Sequence, residues 1–300
     1  MKDIVIIGSA NIDITHSGER FPGSGETLFS NHSYISLGGK GLNQSVATSR
    51  LSKKRNVKFI GLVGNDLFGE KIKNDLLKEN LDVSNLNFIN NEITGNAIIY
   101  IDSENNNQIS VSPGANSKIG SSEIQIFSKI SDSTSIVLLQ QEIPIETNYK
   151  ILEIARSKNI ITILDPGPPN KDFKKFRNYL KLVDFLTPNK HEAEYILGEK
   201  ITGKELEAAK KIKKMGPKNV IITLGQNGVA FAGEECRLLP ANKVDSVDPV
   251  GSGDCFNGAF ATKIYENESI ETALKYALYA SSLSTLKLGA SQSFPCLIDI

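Results

Sequence analysis

The chain opens "MKDIVIIGSANID", Met1 to Asp13, and its fold class turns on how that opening is built. Four consecutive apolar residues, Ile4 to Ile7, stand between Asp3 and Gly8. A strand covered on one face alternates apolar and polar residues, whereas an unbroken β-branched run suits a strand buried on both faces, as in a parallel sheet. The run is too short for a signal peptide, and no segment approaches the length that spans a membrane.

Similar runs recur as "KFIGLVG", "SIVLLQ", "IITILDP", "FLTPN" and "VIITLG". Helical patterns lie between most of them, at Asp66 to Glu79, Glu146 to Arg156 and Gly203 to Met215. Strand–helix alternation predicts parallel βαβ units with right-handed crossovers. The expected class is therefore α/β, a Rossmann-like, mostly parallel central sheet flanked by helices. Two helices, Asp254 to Tyr265 and Ile270 to Leu286, close the chain, and no linker-like tract divides it, so residues 1–300 read as one domain.

Two segments break the alternation, Glu26 to Gly39 and Asn96 to Asn116. Both read as strands around polar turns, the second a hairpin turning at Glu104 to Asn107. They form either a small β-sheet lid, with segments at about 14–38 and 96–112, or inert surface hairpins.

Composition narrows the function classes. Basic and acidic residues balance at 34 each, which gives no bulk attraction to nucleic acid or membrane. Three separated cysteines, Cys236, Cys255 and Cys296, suit small buried residues in a reducing compartment, and the cytoplasm is the expected location. His16, His32 and His191 are scattered and form no zinc pattern.

In an open α/β sheet, ligands bind beyond the carboxyl ends of the strands, and several polar groups fall there. Asn11 and Asp13 share a face if the chain stays extended, and an amide beside a carboxylate can hold vicinal hydroxyls; a polar turn is the plainer reading. In "LGGKGLNQSVA", Lys40 and Asn43 share the first turn of a helix. Glu142 follows "SIVLLQQ". Asn189 and Glu192, in "TPNKHEAE", read first as ordinary helix-start chemistry. "ITLGQNGV", Ile222 to Val229, reads as a hairpin along which a nucleotide could lie.

The most informative segment is "VDPVGSGDCFNGAF", Val247 to Phe260. Phe256, Ala259, Phe260 and Ile264 recur at helical spacing, so a helix starts near Asp254. Its free N–H groups, with Gly251, Ser252 and Gly253 before it, make an anion site. Asp254 is either an N-cap or a base that takes the proton of a hydroxyl attacking the bound phosphate.

Taken together, "GSANID", "FPGSGET", "GGKGLNQSVA", "GNDLFGE", "SPGAN", "TPNKHEAE", "ITLGQNGV", "DPVGSGDCFNGAF" and "LGASQSFP" resemble the ribokinase-like (PfkB) family of carbohydrate kinases over nearly the whole chain. The lysine of GGKGxNQ favours its ribokinase branch over fructokinase or adenosine-kinase relatives. The resemblance implies a β-lid that also pairs two subunits, and ATP-dependent phosphorylation of ribose at its primary hydroxyl, O5. It implies Asp254 as general base and the Gly251, Ser252 and Gly253 amides as anion hole. Asn11, Asp13, Gly39, Lys40, Asn43 and Glu142 would hold the sugar. Asn189 would contact nucleotide phosphates, Glu192 would organise Mg²⁺ through water, and Thr223, Leu224, Gly225, Gln226, Asn227, Gly228 and Gly253 would flank the nucleotide. An activating K⁺ would lie among Asp248, Val250, Ser284, Lys287, Gly289 and Ser293, several through backbone carbonyls. Pro249, where such kinases often carry threonine, and Lys287 depart from that pattern. Two other functions stay open: a kinase for deoxyribose, a nucleoside or a ketose, and a non-catalytic sugar or nucleotide sensor on this fold.

Overall fold

A computed structural model describes residues 2–53, 56–104, 106–169 and 177–300. The first strands are β1 (Asp3–Ile7), β2 (Asn11–Ser17), β3 (His32–Gly38), β4 (Val57–Gly64), β5 (Asp82–Ile89), β6 (Gly95–Ile101) and β7 (Asn107–Ser112). Further on come β8 (Thr134–Gln140), β9 (Ile161–Asp165), β10 (Phe185–Leu186), β11 (Asn219–Thr223), β12 (Val229–Ala232) and β13 (Cys236–Leu239). The helices are α1 (Lys40–Leu51), α2 (Leu67–Lys78), α3 (Ser121–Ile130), α4 (Ile145–Ser157), α5 (Lys190–Leu197), α6 (Glu205–Lys213), α7 (Ser252–Tyr265) and α8 (Ile270–Ser284).

Among the described residues, nine strands form one sheet in the order β13-β12-β11-β10-β9-β8-β1-β4-β5. Neighbours run parallel except β11–β12 and β12–β13. Strand β1 shows why its apolar run is unbroken. Ile4 and Ile6 pack with Leu42 of α1 and Phe260 of α7 on one side of the sheet, while Val5 and Ile7 pack with Phe127 of α3 and Ile151 of α4 on the other. These four apolar side chains are fully buried. Each such burial contributes roughly 1.5–3 kcal/mol.

The predicted helices are present with ends moved by one or two residues. Strands β5 and β13 and helix α3 occupy segments to which no element was assigned. β5 and β13 lie at the two edges of the sheet. An edge strand keeps polar positions such as Ser84 and Arg237, so it shows no continuous apolar run.

Four more strands form a second sheet, β3-β2-β6-β7, in which β2 and β6 are parallel and the other pairs antiparallel. The β6–β7 hairpin follows expectation; Asn105 in its turn lies outside the described residues. The first predicted segment is corrected in two ways. Residues 26–31 are not strand, and β3 pairs with β2, so the small sheet begins at Asn11 rather than about residue 14. The plainer reading of Asn11–Asp13 as a polar turn gives way to strand because Ile12 and Ile14 alternate with Asn11 and Asp13.

The cysteines also depart from expectation. All three are free, but only Cys255 is buried; Cys236 and Cys296 are exposed. His16 and His32 lie on the small sheet, and His191 is exposed on α5. Among the described residues no helix is long and apolar enough to cross a membrane.

Candidate active site

Strand order reverses at β1. The chain proceeds from β1 to β4 and β5 on one side, while β8 begins the other half against its opposite edge. Loops leaving the carboxyl ends of β1 and β8 therefore part and leave a crevice. Ser9 follows β1 and Glu142 follows β8, and the Ser9 hydroxyl donates to Glu142 Oε2 at 2.5 Å. The same carboxylate oxygen accepts the Lys40 backbone N–H at 2.9 Å, which docks the start of α1 on the crevice.

The first turn of α7 enters the crevice from the far end of the chain. Gly251 caps the helix in the left-handed conformation, φ 76°, where a side chain would be strained. The Ser252 N–H is engaged by the Pro249 carbonyl at 3.2 Å, which removes it from the expected anion hole. Among the described residues the N–H groups of Gly251, Gly253 and Asp254 have no hydrogen-bond partner, and Gly253 faces open space.

Asp254 does not cap its own helix. Its Oδ2 accepts Asn43 Nδ2 at 3.0 Å and its Oδ1 accepts Gln44 Nε2 at 3.1 Å, both from α1. The Lys40 ammonium is 3.9 Å from Oδ1. Burial raises the Asp254 pKa to about 6, against the pull of Lys40 and with help from the nearby Asp165 carboxylate. Asn43 Oδ1 is buried without a partner, an acceptor left for a hydroxyl or amine from a ligand.

Asn11 and Asp13 project from one face of β2, as their spacing predicts. Asn11 Oδ1 accepts Asn116 Nδ2 at 2.7 Å, and Asn116 Oδ1 accepts the Ala10 N–H at 2.9 Å. Asp13 lies toward the same charges: burial, then Glu142 and Asp254, raise its pKa to about 7. Gly39 joins them at the start of α1, its carbonyl accepting the Asn43 N–H at 2.9 Å. The structure thus gathers Asn11, Asp13, Gly39, Lys40, Asn43, Glu142 and Asp254 around one crevice.

A second group flanks it. Asn189 and Glu192 form a reciprocal cap on α5: Asn189 Oδ1 accepts the Glu192 N–H at 2.9 Å, and Glu192 Oε2 accepts the Asn189 N–H at 2.7 Å. The helix-start reading is correct, and Glu192 also lies within reach of the charges of the crevice. Burial and then Asp165 raise the Glu192 pKa to about 7, with Lys40 opposing. Thr223 bridges to Asn189 at the end of β11. Gly225–Asn227 form an exposed 3₁₀ turn between β11 and β12, closed by the Leu224 N–H on the Gly228 carbonyl at 2.8 Å.

Residues 1–296 match the pfkB family carbohydrate kinases. The chain belongs to that family. It is 36% identical to the ribokinase of Lactococcus lactis, with 100% of this chain and 96% of the relative covered. Its backbone superposes on a ribokinase from Thermotoga maritima with a TM-score of 0.89 and 33% identity, covering 100% and 98% of the two chains. An Arabidopsis thaliana ribokinase complexed with ribose and ATP gives 0.88 and 30%, covering 99% and 96%.

For this pfkB chain, sequence reasoning missed the groups that hold the site from behind. Asp165, at the end of β9, accepts Lys40 Nζ and Gln44 Nε2, each at 3.0 Å, on Oδ2. Gln140 Nε2 in turn donates to Gln44 Oε1 at 2.7 Å. An acid directly after a buried strand was the signal that pointed to Glu142, and it applies equally to Asp165. The two C-terminal loops also meet: Asp248 Oδ2 accepts the Gly289 N–H at 2.8 Å and Oδ1 accepts the Val250 N–H at 3.0 Å. The Ser284 and Ser293 hydroxyls are turned to local carbonyls, those of Ser281 and Ala290.

Proposed function

We propose that this chain transfers the γ-phosphoryl group of ATP to O5 of D-ribose, giving ribose 5-phosphate and ADP. One observation carries the reading: the Asp254 carboxylate, in the first turn of α7, is held by Asn43 and Gln44 of α1 instead of capping its own helix. An acid beside unengaged helix N-terminal amides opposes anion binding unless it has a proton to remove. Asp254 takes the hydroxyl proton as the sugar oxygen bonds to phosphorus and the bond from phosphorus to the ADP oxygen breaks. The Gly251, Gly253 and Asp254 amides stabilise charge on the transferring group.

Asn11, Asp13, Lys40, Asn43 and Glu142 hold the sugar hydroxyls, and the unpartnered Asn43 Oδ1 receives one of them. The names of the relatives, and the ribose and ATP in the plant enzyme, favour this sugar. Asn189 and the Thr223–Gly228 turn lie along the nucleotide. Mg²⁺, when bound, neutralises phosphate charge; Glu192 would organise it through water, and its oxygens, though capped by Asn189, keep lone pairs for that task. A K⁺ site fits the two loops joined by Asp248. Among the described residues the carbonyls of Asp248, Val250, Ser284, Lys287, Gly289 and Ser293 accept no hydrogen bond, so they are available to a cation.

The small sheet acts as a lid, because Asn11 and Asp13 on β2 place its base in the sugar site. Its face opposite Asp13 carries Ile35 and Ile98 in register with Ile14, 49% and 52% exposed, which supports pairing of two chains through the lid. A cytoplasmic location accords with this substrate and cofactor.

Incubation with ATP, Mg²⁺ and a panel of pentoses and hexoses, followed by ADP release, tests the function. Ribose should give the highest kcat/KM, and Asp254→Asn should lose about 10²–10⁴ in kcat while still binding ATP. Absence of turnover across the panel would remove the proposal.

A further inference from the structure

Asp165 stands among donors and is 4% exposed. Its Oδ2 accepts Lys40 Nζ at 3.0 Å and Gln44 Nε2 at 3.0 Å, with Asn257 Nδ2 at 3.4 Å, while Oδ1 accepts the Gly167 N–H at 2.9 Å. Gln44 Nε2 also reaches Asp254 Oδ1, and Lys40 Nζ lies 3.9 Å from that oxygen. One ammonium and one amide are therefore divided between two buried carboxylates. The ammonium is nearer to the carboxylate that takes no part in phosphoryl transfer.

We propose that Asp165 is a positioning residue that draws the Lys40 ammonium off Asp254, so that the Asp254 carboxylate meets the sugar hydroxyl without a cation bound to it. This inference rests on the function proposed above. A carboxylate in close contact with an ammonium is a weaker base, because transferring a proton to it also breaks an ion pair. Gln44, fixed in turn by Gln140, holds the two acids at a set spacing.

The charged groups that act on Asp254 come from several elements: Lys40 of α1, Asp165 of β9, Glu192 of α5 and Asp13 of β2. Neutralising Asp165 acts twice with one sign. It removes a negative neighbour that raises the Asp254 pKa, and it releases Lys40. Among the described residues, Lys40 then has Asp254 as its remaining carboxylate within 4 Å. Both changes favour ionised Asp254.

The test is Asp165→Asn, which keeps the size of the side chain. In the ligand-free protein, the Asp254 carboxyl is followed by ¹³C NMR against pH and assigned by its disappearance in Asp254→Asn. Its midpoint should fall by about one pH unit or more. In the ribose assay the acid limb of kcat/KM should move down with it, and plateau kcat should drop roughly threefold, as a weaker base would give. Asp165→Ser should shift the midpoint in the same direction, and it serves if the Asn variant does not fold. An unchanged Asp254 midpoint in the folded variant would overturn the inference. A wild-type chain inactive on every sugar would instead remove the functional reading, while the carboxyl titration would still decide whether Asp165 governs Lys40.

Discussion

Gly258 of α7 lies so close to Ala47 of α1 that a methyl group on Gly258 would sit 2.6 Å from the Ala47 Cβ. One turn earlier on the same two helices, Asp254 accepts the Asn43 amide at 3.0 Å. The close approach at Gly258 thus sets the gap that Asn43 and Gln44 bridge to reach the carboxylate. Gly258→Leu should force the helices apart, lower stability by about 1–3 kcal/mol in urea unfolding, and reduce kcat. Gly258→Ala should move both quantities the same way by less. Full kcat in a destabilised Leu variant would show that the helix spacing does not position the base.

Asp13 makes the site a cost to stability at neutral pH. Its folded-state pKa, about 7, lies above the ordinary value of 3.8, with burial the first cause. Between those values the folded protein binds more protons than the unfolded chain, so this group lowers stability as pH rises from about 4 to about 7. Asp13→Asn should therefore raise Tm at pH 8, by the equivalent of about 1 kcal/mol after allowance for the partial exposure of Asp13, and the gain should fade towards pH 4. A gain of equal size at both pH values would assign it to packing instead.

Asn116 secures the orientation of Asn11 through the 2.7 Å bond to its Oδ1. This leaves the Asn11 amide nitrogen to face a ligand. Asn116→Ala should raise KM for ribose by about tenfold, the cost of one lost and one misdirected hydrogen bond, and leave KM for ATP near wild type. Initial rates with each substrate varied separately distinguish this from a general loss of folded protein, which would lower kcat alone.

The Asp248 carboxylate ties the Val250 and Gly289 amides into one loop pair, in which, among the described residues, the carbonyls of Asp248, Val250 and Gly289 accept no hydrogen bond. If K⁺ binds there, exchanging Na⁺ for K⁺ at constant ionic strength should raise kcat/KM. Asp248→Ala should cut that response about tenfold, in keeping with the loss of charged hydrogen bonds. Equal rates in the two salts would dispose of the site.

Much of the fold was legible in the sequence, since apolar runs such as Ile4–Ile7 and Ile221–Ile222 report burial on both faces through nearest neighbours alone. The edge strand β5 was not, because only Val83 and Leu86 of its eight residues are buried and its pattern is mixed. The site divides in the same way. Glu142, Lys40, Asn43 and Asp254 stood in motifs or directly after strands. Asp165 carries the same signal as Glu142, an acid at the end of a buried strand, but neither it nor Gln140 has a local feature that tells which distant donor it will meet.

By itself, the sequence determined the layered α/β class, the place of the glycine-rich loop before α7, and the residue types available at the strand ends. Those depend on periodicity and turn chemistry, which act over a few neighbouring positions. Only the tertiary structure decided that Asp254 turns to α1, 211 residues away for Asn43, and that Asp165 rather than Asp254 is nearest to Lys40. Hydrogen bonds and ion pairs act over about 3–4 Å. Which groups fall within that range was settled by how α1 and α7 pack over the carboxyl ends of the sheet.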